Sequence, residues 1–254
     1  MGTDVSTTRE YLHGVVDKVV VFSPCSESKC DQVDIPAGFT PKNPSDYLES
    51  IALRDSLVKA RQKVLDDPSV QKGNKSTLAF DLYVKAARSI AYKGIRESCY
   101  IDLRKKLLSS NDLQWFFLSG GYGVINALEK AQKYDASFYS PRIKRIWQEA
   151  KLSVICDSIV QKLSPSHIYV FGSPKYLDFL KEAAFYGEVM GSGAIKVFEA
   201  LREPRDVYKG LRWLSEVLQK FAKAVVSNRL TGFDSEYPEK YYNSKKQAGT
   251  NNVY

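Results

Sequence analysis

Short apolar runs that end at glycine, proline or serine recur along the chain and predict buried strands. The first run, Val19-Val20-Val21-Phe22, lies inside a strand expected over Lys18–Ser23 and ended by Pro24. A continuous run of this kind is typical of a strand that is covered on both faces. The same pattern predicts further strands at Gln114–Leu118, His167–Phe171 and Ala194–Phe198.

Apolar residues spaced three and four positions apart predict helices between these strands. Pro141 suits the first turn of such a helix, because its missing N–H has no partner there. Prolines and glycines predict a loop over Asp31–Pro44 and a break over Gly73–Ser76. The predicted helices run from Ser45 or Asp46 to Leu65 and over Leu78–Tyr92, Ser98–Leu108, Pro141–Leu163 and Arg205–Val225.

Alternation of strands with helices predicts an α/β fold with a mixed, mostly parallel sheet flanked by helices. We expect one domain over 1–232, followed by a polar tail over 233–254 that is only partly ordered. No window approaches the ~18 consecutive apolar residues of a membrane span. Met1–His13 lacks the basic and then apolar pattern of a secretion signal. We therefore expect a cytoplasmic protein that does not contact membranes.

The net charge of +8 favours anionic partners, either DNA or RNA, although a generally solvated basic surface would give the same total. Four widely spaced cysteines do not form a disulfide framework, and reduced thiols are expected. With two histidines and no second Cys/His pair near Cys25 and Cys30, we expect no metal and no other cofactor. The predicted nucleic-acid surface consists of Arg88, Lys93, Arg96, Lys105, Lys106, Arg142, Lys144 and Arg145.

The loop after the first strand carries the first group of candidate site residues. Cys25 becomes a nucleophile if nearby cations lower its pKa, and Lys29 is either an anion clamp or a nucleophile if it is desolvated. Ser26 and Ser28 add hydroxyls that suit a phosphate or a carboxylate. The alternative is that the cysteine only packs and the lysine is only solvated.

Two more segments follow predicted strands, at the edge of the sheet where α/β proteins bind ligands. Glycines in the segment Ser119, Gly120, Gly121, Tyr122 allow close approach of the backbone to a ligand, or simply a tight turn. The carboxylates of Glu129 and Asp135, further along, are candidate proton-transfer groups. In the third segment, the Gly172 and Ser173 amides near Tyr176 either hold an anion or cap a helix.

Together these segments resemble the YaaA-like family, which is named for a bacterial peroxide-stress protein. The resemblance spans roughly residues 17 to 225, and the Leu-Ser-Gly-x-Tyr-Gly turn at 118–123 is its most specific part. It implies association with nucleic acid. The matching elements are Ser23-Pro24, Tyr92-Lys93-Gly94-Ile95, the turn at 118–123, Glu129, Tyr134 and Ser173 to Tyr176.

The first loop is also similar to the Pro-Cys-x-x-x-Lys start of a motif in archaeosine synthase, which modifies a base of transfer RNA. That motif continues with Pro-Tyr and later a serine and a histidine, whereas Cys30 and Asp31 follow Lys29 here and no histidine appears. A site directed at a nucleobase or nucleotide stays open on this resemblance.

These observations lead to alternative functions. The first is binding of DNA or RNA, with stress protection as the role implied by the resemblance. The second is an enzyme that acts on a nucleobase or nucleotide, with Cys25 or Lys29 as nucleophile and Glu129 or Asp135 as proton-transfer partner. The third is a domain that binds a small molecule or a protein. The first two require that the three segments meet in one positively charged pocket.

Overall fold

Strand β1 lies in the middle of a six-stranded sheet with the order β4-β3-β1-β6-β7-β8. The structure is a computed structural model that describes residues 18–188, 195–200 and 209–237 and the backbone of 241–242. The strands are β1 (Val19–Pro24), β2 (Lys72–Leu78), β3 (Leu113–Ser119), β4 (Gly123–Asn126), β5 (Lys130–Tyr134), β6 (His167–Gly172), β7 (Ile195–Glu199) and β8 (Tyr241–Tyr242).

Pairing in the sheet is mostly parallel. β1 pairs with β3 from Val19↔Leu113 to Pro24↔Leu118, and on its other side with β6 from Val19↔His167 to Phe22↔Val170. The pairs β6–β7 and β7–β8 are parallel, and β4 is antiparallel to β3. β2 and β5 form a separate antiparallel ribbon. The predicted α/β fold, with a mixed and mostly parallel sheet flanked by helices, is confirmed.

Helices connect the strands and cover the sheet. All six residues of β1 are buried, as its apolar sequence predicts. The helices are α1 (Ile51–Leu65), α2 (Ala79–Val84), α3 (Lys93–Ser98), α4 (Tyr100–Ser109), α5 (Pro141–Glu149), α6 (Leu152–Leu163), α7 (Pro174–Leu177), α8 (Ala184–Glu188), α9 (Lys209–Val226) and α10 (Leu230–Glu236).

Two predicted helices begin or end elsewhere. The helix expected from Ser45 or Asp46 is a 3-10 turn at Pro44–Tyr47, and α1 begins only after Ser50, whose hydroxyl accepts from the Leu53 N–H. The helix expected over Pro141–Leu163 is divided into α5 and α6 at Lys151, which has a φ of 56°. A left-handed residue cannot continue an α-helix.

The prediction of a helix over Leu78–Tyr92 is largely wrong. Only α2 is helical in this range, and the segment from Lys85 turns before α3 begins. The expected break at Gly73–Ser76 is part of β2, which pairs with β5. β2 is mostly exposed and polar, so its sequence carries no apolar run.

The end of the described chain is part of the core. Phe233 in α10 is buried, and its ring lies 5.4 Å from Phe221 and 5.6 Å from Phe198. The expected domain boundary at Phe233 therefore cuts through a packed helix. Residue 194 of the predicted strand over Ala194–Phe198 lies outside the described residues. The same holds for residues 205–208 of the predicted helix over Arg205–Val225. No helix in the described part of the chain combines the length and apolarity needed to cross a membrane.

Substitution of Gly94 tests the contact between α3 and α9. A Cβ there would lie 2.8 Å from the Gln219 Cβ and 2.9 Å from the Ser215 carbonyl oxygen. We expect Gly94→Ala to lower the free energy of unfolding by about 1–3 kcal/mol through overpacking. Gly232 in α10 has open space around its Cβ position, so Gly232→Ala is expected to stabilise by up to about 1 kcal/mol. Urea unfolding followed by circular dichroism compares the two variants with the wild type. Equal unfolding midpoints for the two variants would contradict the close contact between α3 and α9.

Candidate functional site

A cavity of about 470 Å³ opens at the carboxyl ends of β1, β6 and β7. Cys25, Ser173 and Ala200 are the residues that directly follow these strands, and all three line it. This edge is where open α/β sheets bind ligands. Among the described residues, the lining consists of Cys25, Ser26, Glu27, Lys29, Asp135, Ala136, Ser137, Tyr139, Ser173, Tyr176, Ala200, Gly210 and Leu211.

The loop after β1 supplies a thiol and two hydroxyls at or beside the cavity. The Cys25 N–H donates to the Leu118 carbonyl oxygen at 2.7 Å, which holds the loop against the end of β3. The Cys25 Sγ lies 3.5 Å from the Tyr176 hydroxyl oxygen. Ser26 is buried and its hydroxyl makes no hydrogen bond within the described residues, while the Ser28 Oγ is buried without a partner. Ser28 itself does not line the cavity.

Lys29 extends its amine over an aromatic ring. Its Nζ donates to the Glu27 carbonyl oxygen at 3.0 Å and lies 4.3 Å from the centre of the Tyr134 ring. Burial lowers the pKa of this amine below the ordinary value for lysine. Electrostatic interactions with Cys25, Asp135 and Glu27 raise the pKa again by smaller amounts. Lys29 forms no ion pair with a described carboxylate. Because its pKa is lowered, a larger share of its amine is neutral at a given pH than in a solvated lysine.

Beneath the cavity lies a network of buried hydroxyls. The Tyr134 hydroxyl is 2.5 Å from the Ser119 Oγ and 3.0 Å from the Tyr83 hydroxyl. Burial raises the pKa of Tyr83 and Tyr134 well above the ordinary value, so both phenols stay protonated at neutral pH. This network fixes the Tyr134 ring, and therefore the surface under the Lys29 amine.

The glycine turn supports the cavity from behind and does not line it. A Cβ on Gly120 would lie 2.5 Å from the Ala136 carbonyl oxygen, and one on Gly121 would lie 2.6 Å from the Tyr134 ring. These glycines let the turn pack directly against the 134–137 segment, which forms one wall. Ser119 and Tyr122 are buried and bonded within the protein, so the predicted ligand contacts of Ser119, Gly120, Gly121 and Tyr122 are not found at the cavity.

Glu129 does not line the cavity either, and its carboxylate forms an ion pair within the protein. Its carboxylate pairs with the Arg61 guanidinium at 2.6 and 3.2 Å, and Arg61 also donates to the carbonyl oxygens of Tyr122 and Val124. Burial raises the pKa of Glu129, and Arg61 opposes this shift. The pair joins α1 to the glycine turn. Asp135, the other predicted carboxylate, is exposed and does line the cavity.

The segment after β6 contributes side chains more than amides. The Ser173 Oγ is buried without a partner and, like Tyr176, belongs to the cavity wall. Gly172 lies in β6 and outside the wall, and its carbonyl oxygen accepts from the Ala200 N–H. Since α7 is a single turn, it provides no extended helix terminus for an anion at the Gly172 and Ser173 amides.

Some side chains of the predicted nucleic-acid surface bond to other groups of the protein. Arg96 donates to the Ala86 and Ser89 carbonyl oxygens, and Lys106 to Asn228. Arg142 pairs with Asp67, and Lys144 lies 3.7 Å from Asp178. The exposed members without an ion pair in the described part of the chain are Arg88, Lys93, Lys105 and Arg145.

Several residues at the site were not predicted. Tyr139 is 55% exposed at the cavity rim, and the Lys175 Nζ lies 4.1 Å from its ring centre. Glu27 and Ser137 also line the wall. Their only sequence signal is position, because Glu27 lies between two predicted site residues and Ser137 and Tyr139 follow Asp135.

No family model matches this chain, and no curated protein matches it. The resemblance to the YaaA-like family therefore stays a prediction. Within the described residues, no group of three histidine, cysteine or acidic side chains is placed to hold a metal ion.

Removal of Glu129 tests whether it stabilises the fold. We expect Glu129→Ala to lower the free energy of unfolding by about 3–5 kcal/mol, because Arg61 would be left buried without a counter-charge. The matched control is Glu149→Ala, which breaks the exposed pair with Lys63 and is expected to cost less than about 1 kcal/mol. Urea unfolding measures both. A loss at Glu129 no larger than that at Glu149 would contradict the structural role.

The lowered pKa of Lys29 predicts a distinct labelling profile. At any pH below the ordinary pKa of lysine, an amine with a lowered pKa has a larger neutral fraction than a solvated lysine. It therefore reacts faster with acetic anhydride at equal solvent accessibility. We expect the pH midpoint for acetylation of Lys29, followed by peptide mass spectrometry, to lie below that of the same residue in urea-unfolded protein. Coincident midpoints would show that burial does not perturb this amine.

Proposed function

We propose that the cavity is the active site of an enzyme that acts on a nucleobase or nucleotide, with Lys29 as its reactive group. The observation that carries this proposal is the placement of a partly desolvated amine, without an ion pair among the described residues, inside a cavity beside a thiol and a carboxylate. An amine of lowered pKa at the mouth of a cleft is a common arrangement for a nucleophile or a proton acceptor.

The cavity has the size and chemistry of a small-molecule site. Its volume of about 470 Å³ lies within the ~300–1,000 Å³ range of ligand pockets. Tyr139 offers a largely exposed ring at the rim, on which a planar heterocycle can stack. The hydroxyls of Ser26 and Ser173, which have no partner in the described structure, can bond to ring nitrogens or exocyclic groups.

The reacting groups take distinct roles in this proposal. Neutral Lys29 adds its lone pair to the carbon of a C=N bond in the bound heterocycle. The π pair of that bond moves to the ring nitrogen, which takes up the proton that leaves the new ammonium. In the alternative step, the same lone pair accepts a proton from the heterocycle. Asp135, whose charge acts on the Lys29 amine, serves as the proton-transfer partner in place of Glu129. The Cys25 Sγ lies within hydrogen-bond distance of the Tyr176 hydroxyl. In an alternative form of the proposal this thiol is the nucleophile, and a Cys25→Ser substitution tests that role.

Binding of DNA or RNA is the second candidate, and the exposed cations Arg88, Lys93 and Lys105 favour it. Against it stands the charge of the described part of the cavity wall, where the carboxylates of Glu27 and Asp135 accompany one cation, Lys29. Recognition of a strand by this protein would depend on the exposed cations and would weaken steeply with salt.

A ligand panel followed by product analysis tests the enzyme proposal. Nucleobases, nucleosides, nucleoside monophosphates and short single-stranded oligonucleotides are screened by thermal shift at two salt concentrations. Those that stabilise the protein are then incubated with it and analysed by mass spectrometry. We expect Lys29→Ala to bind the stabilising ligand but to form product at least ~100-fold more slowly, since the reactive group is gone.

Lys130→Ala is the matched control, because it removes an exposed lysine of β5 that does not line the cavity. It should keep the wild-type rate. The enzyme proposal fails if no ligand of the panel is converted, or if Lys29→Ala converts it at the wild-type rate. Salt-sensitive binding of oligonucleotides without conversion would instead favour the second candidate.

A further inference from the structure

A smaller lobe of about 140 Å³ adjoins the main cavity. The two lobes share wall residues, among them Ser26, Glu27 and Ser173. The small lobe adds the turn between α2 and α3, which contributes Arg88 and Ser89. A ligand in the main cavity can therefore extend one group into the small lobe without crossing bulk solvent.

Arg88 brings an uncompensated cation to this lobe. Its guanidinium makes neither an ion pair nor a hydrogen bond within the described residues. Arg61 and Arg104, by contrast, are bonded to buried or partly buried carboxylates. A guanidinium with all its donors available suits a phosphate, which accepts two parallel hydrogen bonds from it.

Two hydroxyls in the same wall also lack a hydrogen-bond partner among the described residues. One belongs to Ser26, which is 5% exposed as a whole residue. The other is the Ser173 Oγ, which is itself shielded from solvent. Buried polar groups are nearly always hydrogen-bonded in folded proteins, so the buried Ser173 Oγ, with the Ser26 hydroxyl and the Arg88 guanidinium in the same wall, indicates a ligand rich in hydrogen-bond acceptors.

We propose that the small lobe binds the phosphate of a nucleotide, with Arg88, Ser26 and Ser173 as its ligands, while the base occupies the main cavity. This inference rests on the proposed function and narrows its substrate class from nucleobases and nucleosides to nucleotides. Arg88 is then a specificity-determining residue: it distinguishes substrates by their phosphate and takes no part in the reaction at Lys29.

The carboxylate of Glu27 is expected to weaken phosphate binding, which provides a second substitution for the test. Its carboxylate is exposed and lines both lobes, so it repels an anion that Arg88 attracts. Opposite substitutions should therefore change phosphate affinity in opposite directions. Neither should change the affinity for an uncharged nucleoside, which places no anion in the small lobe.

The experiment measures dissociation constants by calorimetry for a nucleoside monophosphate, the matching nucleoside and inorganic phosphate. We expect the monophosphate to bind more tightly than the nucleoside, Arg88→Gln to weaken it at least about tenfold, and Glu27→Gln to strengthen it. Ser26→Ala should weaken it as well. The control is Arg229→Gln, which changes an exposed arginine outside both lobes and should leave all affinities unchanged.

The inorganic phosphate arm separates this inference from the proposed function. If neither nucleoside nor monophosphate binds but phosphate binds in an Arg88-dependent way, the lobe is an anion site and the nucleotide enzyme is wrong. If the nucleoside binds as tightly as the monophosphate, or Arg88→Gln equals wild type for every ligand, the phosphate lobe is wrong. A 5′-phosphorylated oligonucleotide that binds with the same Arg88 dependence supports the lobe and assigns the phosphate to a strand end.

Discussion

Parallel hydrogen bonding of β1 to β3 on one side and to β6 on the other determines where the site lies. Parallel strands leave the sheet at the same edge, so the chain after Pro24 and the chain after Gly172 meet there. Every residue of β1 is buried, and a shift in register would move Cys25 away from Tyr176 and expose apolar side chains. The geometry of the cavity is therefore set by backbone pairing before any polar contact forms.

Desolvation is the dominant influence on the Lys29 amine. Partial burial removes hydration from the ammonium, and that loss exceeds the opposing electrostatic effects of Cys25, Asp135 and Glu27. The Tyr134 ring under the Nζ favours the charged form by about 0.5–2 kcal/mol, which keeps the side chain in place without an ion pair among the described residues. The buried hydroxyls of Tyr83 and Ser119 hold that ring, so the environment of the Lys29 amine depends on a network beneath it.

The sequence predicts the strands that carry long apolar runs, and misses those that do not. β1 and β3 differ from their predicted ranges by one residue at each end, and β6 by one residue at its carboxyl end, because hydrophobic runs report burial on both faces. β2 is polar and pairs only with β5, so its pairing cannot be read from local sequence. Likewise α5 and α6 are separated at Lys151, a residue type that seldom adopts positive φ.

The sequence predicted those parts of the site that directly follow a predicted strand. Cys25, Lys29 and Ser173 follow predicted strands, and the cavity includes them. Glu129 looked equivalent to Asp135 in sequence, but its partner Arg61 is 68 residues away, and only the tertiary structure brings the two together. The packing of the glycine turn could not be predicted for a similar reason, since the atoms that exclude a Cβ at Gly120 belong to Ala136 and Ser137.

Local charge in the cavity argues that ligand recognition depends on short-range contacts. The protein carries a net charge of +8, yet the described residues of the two lobes present Lys29 and Arg88 against Glu27 and Asp135. Long-range steering is therefore a property of the outer surface, where ions at about 0.15 M salt screen it beyond ~8 Å. Inside the cavity, the cations and carboxylates of one wall act separately on a ligand that lies between them. A ligand with an anionic end and an uncharged planar end matches such a divided wall, because each end can meet a different part of it.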